Sequence, residues 1–243
     1  TVALLLICGD LLGCHQDYVR LWTDGTLKRI DLAPMDLPET AQLLAEAAGG
    51  PLTSLAQEKL WQQSRGNPLL AALLCRDHKA AQALVLRRGY WTGAGPLVHS
   101  GELPDRVEAV LRRFTPGERR AVEILALCGE LPLESLLQLM PAHTADALEE
   151  GSLITIGAGP GQPVRLAWNL QPATIAARIP FGRSRDLWTE VTRVVNPHQL
   201  SGDAAAGMAA WSLSVGVVLG ADEALAAARW SNETGDAEAA LRY

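Results

Sequence analysis

Three short stretches dictate most of what this chain can fold into. Asp36-Leu-Pro-Glu39, Asn67-Pro68 and Thr115-Pro-Gly-Glu118 each set an N-cap side chain beside a proline in the first helical turn. An Asp, Asn or Thr oxygen accepts an N–H that the helix leaves unpaired, and proline lacks the N–H that would be orphaned there. Asp36 and Thr115 also have glutamate three residues on, the capping-box spacing. Starts this strong, the first of them soon stopped by Gly49-Gly50-Pro51, predict many short helices rather than a few long ones.

The first start predicts a helix with Leu43, Leu44 and Ala47 on one face, ended by Gly49-Gly50-Pro51. Ser54-Leu-Ala-Gln57 opens a second, carrying Leu60 and Trp61 and stopping near Gly66. Asn67-Pro68 opens a third that runs through Cys75. Residues 84–86, a turn at Arg88-Gly89 and Tyr90-Trp91 read as a small hairpin. A helix around 105–113 leads to the Thr115 helix, which reaches about residue 127, with shorter helices near 133–139 and 144–150. Then come Leu153-Ile-Thr-Ile156, a turn over 157–163 and Val164-Arg-Leu-Ala-Trp168. Three helices followed by a hairpin is the winged-helix order. Beyond Pro172 the pattern is helical again: 175–179, 187–195, a loop over 197–203, then 204–218, 223–230 and a segment opening at Gly235. Helix pairs broken by Gly-Asp turns suggest stacked hairpins of the tetratricopeptide-like kind, although one pair and a start fall short of the three repeats that bury a shared core.

The N-terminus reads differently. Val2-Ala-Leu-Leu-Leu-Ile-Cys8 is a continuous apolar run ended by Gly9-Asp10, and 27–32 is a second short run after Asp24-Gly25. Both are expected to be buried strands, the first too short for a membrane span or a signal segment. Two strands cannot build a sheet core, so the rest of that sheet is expected upstream, and the repeat array is expected to continue downstream.

The composition is that of an ordinary globular chain: 48% hydrophobic and 20% charged over 243 residues. The net charge of −6 disfavours non-specific binding to DNA or to an anionic membrane, because phosphate contacts need a basic stripe. Arginine far outnumbers lysine (Lys28, Lys59 and Lys79 only), which suggests a high-GC bacterial source. Cys8, Cys14, Cys75 and Cys128 lie in or beside apolar runs without a Cys-x-x-Cys pair, and are expected to be buried thiols in a reducing cytoplasm. His15, His78, His99, His143 and His198 are scattered, with no ligand partners at metal spacing. No Gly-x-Ser-x-Gly occurs, and Glu149-Glu150 reads as a helix end rather than a catalytic pair. No catalytic and no metal residue is assigned.

The succession Ile30-Asp-Leu-Ala-Pro-Met-Asp36, Leu43-Leu44, Leu60-Trp-Gln-Gln-Ser-Arg-Gly66-Asn-Pro-Leu69, Trp91, Leu111-Arg-Arg-Phe-Thr-Pro-Gly-Glu-Arg-Arg120 and Val164-Arg-Leu-Ala167 resembles the large ATP-binding LuxR-type transcription regulators. These belong to the STAND class of AAA+-like ATPases. The resemblance implies the order nucleotide-binding domain, helical lid, winged helix, helical-repeat sensor and C-terminal helix-turn-helix. On it, residues 1–35 are the last strands of the nucleotide-binding domain and 36–102 the lid with its hairpin. Residues 103–196 are then the winged helix with the helices after it, and 203–243 the first helical repeats. The implied fold is mainly α, with the end of an α/β ATPase sheet. Gly66, Asn67 and Pro68 match the lid motif whose proline lies against adenine, and this implies a nucleotide contact; the plain alternative is a good helix start and nothing more.

Two departures stand against that pattern. The entering strand ends Ile7-Cys8-Gly9-Asp10 where relatives carry an arginine near the γ-phosphate, and the wing strand continues Trp168-Asn169 where relatives read His-Pro. The chain also has neither a Gly-x-x-x-x-Gly-Lys-Ser/Thr loop nor an acidic Walker-B strand, so it is not expected to hydrolyse ATP alone.

The helix that would enter a DNA groove, His143-Thr-Ala-Asp-Ala-Leu-Glu-Glu150, carries three carboxylates and no Arg or Lys. Base and phosphate contacts need the opposite, so this module is expected not to read DNA. The basic cluster Arg112, Arg113, Arg119 and Arg120 reads as a solvated or interdomain face. The chain is therefore expected to be a non-enzymatic coupling portion of a cytoplasmic regulator. ATP or ADP would act through an upstream domain, an unidentified inducer on the repeats, and DNA only through a C-terminal domain elsewhere. No membrane partner is expected, and oligomerisation stays open. Two other readings stand beside it: an interaction scaffold that has lost ATP control, and an AAA+-like ATPase with an unrelated output.

Overall fold

Both capping boxes form in the computed structural model. Asp36 accepts the Glu39 N–H at 2.9 Å and Glu39 answers at the Asp36 N–H, 3.1 Å, opening α2 (Leu37–Ala48). Thr115 and Glu118 do the same for α6 (Pro116–Cys128). The structure describes residues 5–7, 14–93, 101–159, 161–167, 170–195, 200 and 202–243, and it divides into two units, Thr1–Pro34 and Met35–Tyr243.

The first unit departs from the sequence reading. Among its described residues the one regular element is α1 (Gln16–Thr23), which begins where His15 Nδ1 accepts the Asp17 N–H. Residues 5–7 and 27–32 form no strand, and Leu5, Ile7, Ile30 and Leu32 are exposed. An apolar run becomes a buried strand only when a neighbour pairs its N–H and C=O groups, and none of the described residues does so here. The rest of the expected first strand, with Gly9-Asp10, lies outside the described residues.

In the second unit, α2 packs with α3 (Ser54–Ser64) and α4 (Pro68–Ala80) around Leu44, Leu60 and Leu74, all fully buried. β1 (Val85–Arg87) and β2 (Tyr90–Thr92) pair antiparallel through Arg88 and Gly89, both at positive φ, as a two-residue primed turn requires. α5 is Glu102–Leu111 rather than 105–113. α6 then leads into β3 (Glu130–Pro132), α7 (Leu133–Leu139), α8 (Ala142–Glu150), β4 (Ile154–Ile156) and β5 (Pro163–Leu166). The sheet order is β3-β5-β4, all antiparallel. β3 was not legible beforehand, because three residues ending in proline carry no alternation. α9 (Pro172–Ala177) and α10 (Phe181–Val191) follow. α11 (Gly202–Ser214) and α12 (Ala221–Glu233) form a helical pair, with α13 (Ala237–Ala240) closing the chain. The protein is mainly helical, and its described residues form two small antiparallel sheets.

One hydrophobic core runs from Leu44 in α2 through Ile124 and Leu148 to Trp211 in α11. No helix among the described residues is long and apolar enough to cross a membrane. Cys75 and Cys128 are buried as expected, Cys14 is half-exposed, and Cys8 lies outside the described residues. Burial pushes the Cys75 and Cys128 thiols above their ordinary range, so neither is primed as a nucleophile.

Candidate functional site

α3 ends in left-handed backbone at Arg65 (φ 51°) and Gly66 (φ 73°), and this reverses the chain so that α4 can begin at once. Gly66 is buried, and its carbonyl accepts the Met35 N–H at 2.8 Å. The Met35 carbonyl in turn accepts the Trp61 indole N–H at 3.1 Å, so the segment entering α2 is clamped against the end of α3. Asn67 caps α4 by accepting the Leu70 N–H at 3.1 Å, and Pro68 occupies the first helical turn. Asn67 is half-buried, whereas Pro68 and Leu69 are exposed. The turn thus presents a flat apolar ring, a second apolar side chain and a helix N-terminus on a braced backbone. Those features fit the face of a purine base. They hold no set of donors for a triphosphate.

The far end of α4 makes the most consequential contact. Asp77 is buried, and its two carboxylate oxygens accept the N–H groups of Glu102 (3.1 Å) and Leu103 (3.0 Å). A side chain 25 residues upstream therefore caps α5. This explains why α5 starts at Glu102: the cap comes from another helix, and the local sequence carries no sign of it. Gly101 completes the joint at φ 124°, and a Cβ there would overlap the Asp77 carboxylate. Beside Asp77, His78 is fully buried; its Nδ1 meets the Leu74 carbonyl at 2.8 Å while Nε2 has no partner. Burial holds the imidazole below its ordinary pKa, so it sits neutral and donates from Nδ1. Lys79 reaches back to the Ala48 carbonyl with its ammonium 4.5 Å from the centre of the Trp91 ring.

A second tie joins the α3 end to the following module. The Gln171 side-chain amide donates to the Gln63 carbonyl, three residues before Gly66. Sequence reading missed Asp77 and Gln171, since Arg76-Asp77-His78-Lys79 looks like a solvated helix end and Gln171 like a loop residue.

The remaining singled-out residues are placed as follows. On α8, His143, Asp146, Glu149 and Glu150 all face solvent, and Thr144, Ala145 and Leu148 face the core. Of the basic cluster, Arg112 pairs with Glu108, Arg119 with Glu123, and Arg120 with Glu190 (2.6 Å) and the Leu139 carbonyl. Glu123, nearly buried, also takes Arg183. Three of the four arginines are therefore paired with carboxylates, two of them along their own helix, and Arg120 alone of the three ties α6 to other helices. Arg165 on β5 pairs with Glu130 and with Asp203 of α11 (2.8 Å). No group of three or more His, Cys, Asp or Glu fit to hold a metal occurs among the described residues. His99, His198, Trp168 and Asn169 lie outside them.

No family model matches the chain, and no curated protein matches it.

Proposed function

We propose that this chain is the lid, winged-helix and early repeat portion of an ATP-controlled regulator of the LuxR-type STAND kind. It carries no catalysis of its own and passes nucleotide state from the lid to the parts that follow. The observation that carries the reading is the double role of α4. One end is the Gly66-Asn67-Pro68 turn with its exposed proline; the other is Asp77, which caps the first helix of the next module. Nine residue steps from Pro68 to Asp77, at about 1.5 Å each, make a rod of roughly 14 Å between the two. A nucleotide that fixes one end of such a rod fixes the cap at the other, which is a physical route for coupling.

The succession of α6, β3, α7, α8, β4 and β5 with sheet order β3-β5-β4 supports a winged helix, and the paired α11 and α12 support a helical repeat. An exposed α8 face with three carboxylates supports an internal role for that winged helix, because the same face would repel DNA phosphates. Pro68 and Leu69 would lie against the base; the nucleotide itself supplies binding free energy that biases a two-state equilibrium. Phosphate contacts are assigned to a P-loop that this sequence does not contain.

The test is adenine-nucleotide affinity of the full-length protein, wild type against Pro68→Ala. About five-fold weaker binding is expected for the variant. Unchanged affinity removes Pro68 from the site, and a wild-type protein that binds no nucleotide turns the reading into the scaffold alternative.

A further inference from the structure

A cavity of about 510 Å³ opens between α10, α11 and the first turn of α12, far along the chain from the lid turn. That volume is within the range of small-molecule sites, roughly 300–1,000 Å³. Beside it, α10 and α11 are bolted together by a reciprocal pair of hydrogen bonds. The Trp211 indole on α11 donates to Ser184 Oγ on α10 at 2.9 Å, and the Trp188 indole on α10 donates to Ser212 Oγ on α11 at 3.0 Å. Ser212 Oγ itself donates to the Met208 carbonyl at 2.8 Å, so the acceptor is fixed as well. An indole has one N–H, and both rings have theirs engaged between the helices.

The two rings differ in what covers them. Trp211 is 2% exposed and packed within the hydrophobic core. Trp188, pinned by the same kind of bond, is only half-buried and lines the cavity. With it stand Met208 of α11 and Val217 and Leu219 of the turn into α12, while the small side chains of Ala205 and Ala209 leave the space open. A ring already fixed in orientation loses little rotamer freedom when a guest stacks on it. The neighbouring thioether adds to the same preference, since sulfur and an indole face both attract aromatic rings. The protein thus fills one of two matched indole positions with its own side chains and leaves the other open to a guest.

We propose that this cavity binds a small planar aromatic molecule by its uncharged ring, which lies against Trp188 and Met208. The ring is the recognised group, and any polar substituent stays at the open side in water. The inference goes beyond the nucleotide reading and does not rest on it, since every residue it uses lies in the region 184–219 and its test involves no nucleotide.

The chain has three methionines, Met35, Met140 and Met208, and of these Met208 lines the cavity. Labelling them with carbon-13 at the methyl group therefore gives one signal that reports on the cavity and two that report on the rest of the chain. Titration of this chain with indole is expected to move the Met208 signal, through the ring current of the guest, and to saturate at millimolar concentration or below. Met35 and Met140 are expected to stay in place. Phenol is expected to bind about five-fold more tightly than cyclohexanol, a saturated ring of similar size. Ala205→Leu, which fills the cavity from a half-buried position on α11, is expected to weaken indole about ten-fold. A Met208 signal unmoved by millimolar indole overturns the proposal, as do shifts of Met35 or Met140 as large as that of Met208. So does equal affinity for phenol and cyclohexanol, or unchanged indole affinity in an Ala205→Leu chain whose Met35 and Met140 signals match wild type.

Discussion

The module spanning α5 to β5 is held at each side by a different physics. On the side of α4, the joint is polar: one buried carboxylate, Asp77, satisfies two N–H groups at the start of α5. On the side of α11, the joint is steric. Gly207 lies so close to the Cys128 carbonyl at the end of α6 that a Cβ would sit well inside the van der Waals radius of that oxygen. Glycine in a helix interior costs about 1 kcal/mol relative to alanine, so its presence on α11 marks a place where backbone must meet backbone. A polar joint depends on direction and protonation and can be loosened in steps. A steric joint depends on volume alone and fails abruptly.

The largest effect expected from this difference is at the steric joint. Gly207→Leu forces α11 off α6, separates Arg165 from Asp203, and should lower unfolding free energy by about 3 kcal/mol or more. Urea denaturation measures it. A loss under about 1 kcal/mol would mean that α11 is not tightly seated.

Next comes the polar joint. Asp77→Ala strips the cap from α5 and leaves two N–H groups without their acceptor, for an expected loss of about 2 kcal/mol in the same assay. Asp77→Asn should recover part of it, because the amide oxygen can still accept one of the two. A residue that merely fills space would show no such graded rescue. Smaller again is Thr115→Ala, a local cap on the exposed start of α6, expected to cost about 1 kcal/mol. If Asp77→Ala costs no more than Thr115→Ala, the joint is no stronger than an ordinary cap, and the lever assigned to α4 loses its anchor.

How far these features could be read beforehand follows the same division. Asn67, Asp36 and Thr115 cap their own helices from within three residues, so residue type and spacing were enough to find them. Arg88-Gly89 was legible for the same reason, since the backbone of a two-residue turn selects for residues that tolerate positive φ. Asp77 caps a helix from 25 residues away, and β3 exists only because β5 lies beside it. Both are products of the assembled fold. The strands expected over 2–8 and 27–32 failed for the complementary reason: an apolar pattern states what should be buried, and only a neighbour buries it. The candidate turn at Gly66, Asn67 and Pro68 was legible as a helix start, while the bracing by Met35 and Trp61 beneath it was not.

The subtlest expected effect comes from His78, packed within the polar joint. Its neutral imidazole donates from Nδ1 to the Leu74 carbonyl, and buried Nε2 has no acceptor to receive a second proton. Among the described residues, the other titratable or charged groups at the joint are Asp77, Arg76 and Lys79 on α4 and Glu102 on α5; the Arg106 guanidinium that hydrogen-bonds Glu102, with Arg76 beside it, holds its carboxyl below the usual carboxylate range. Because burial depresses the folded-state pKa of His78 below its unfolded value of 6.5, the unfolded chain binds the extra proton first. Stability is then fully present above about pH 6.5 and declines as pH falls toward the folded-state value. Urea midpoints at stepwise lower pH should drop in wild type and drop less in His78→Gln, which keeps a donor for the Leu74 carbonyl but takes no proton. Equal slopes would show that His78 does not set the acid limb. A wild-type midpoint that rose on acidification would reverse the sign argued here, because the folded chain would then bind the extra proton more tightly than the unfolded one.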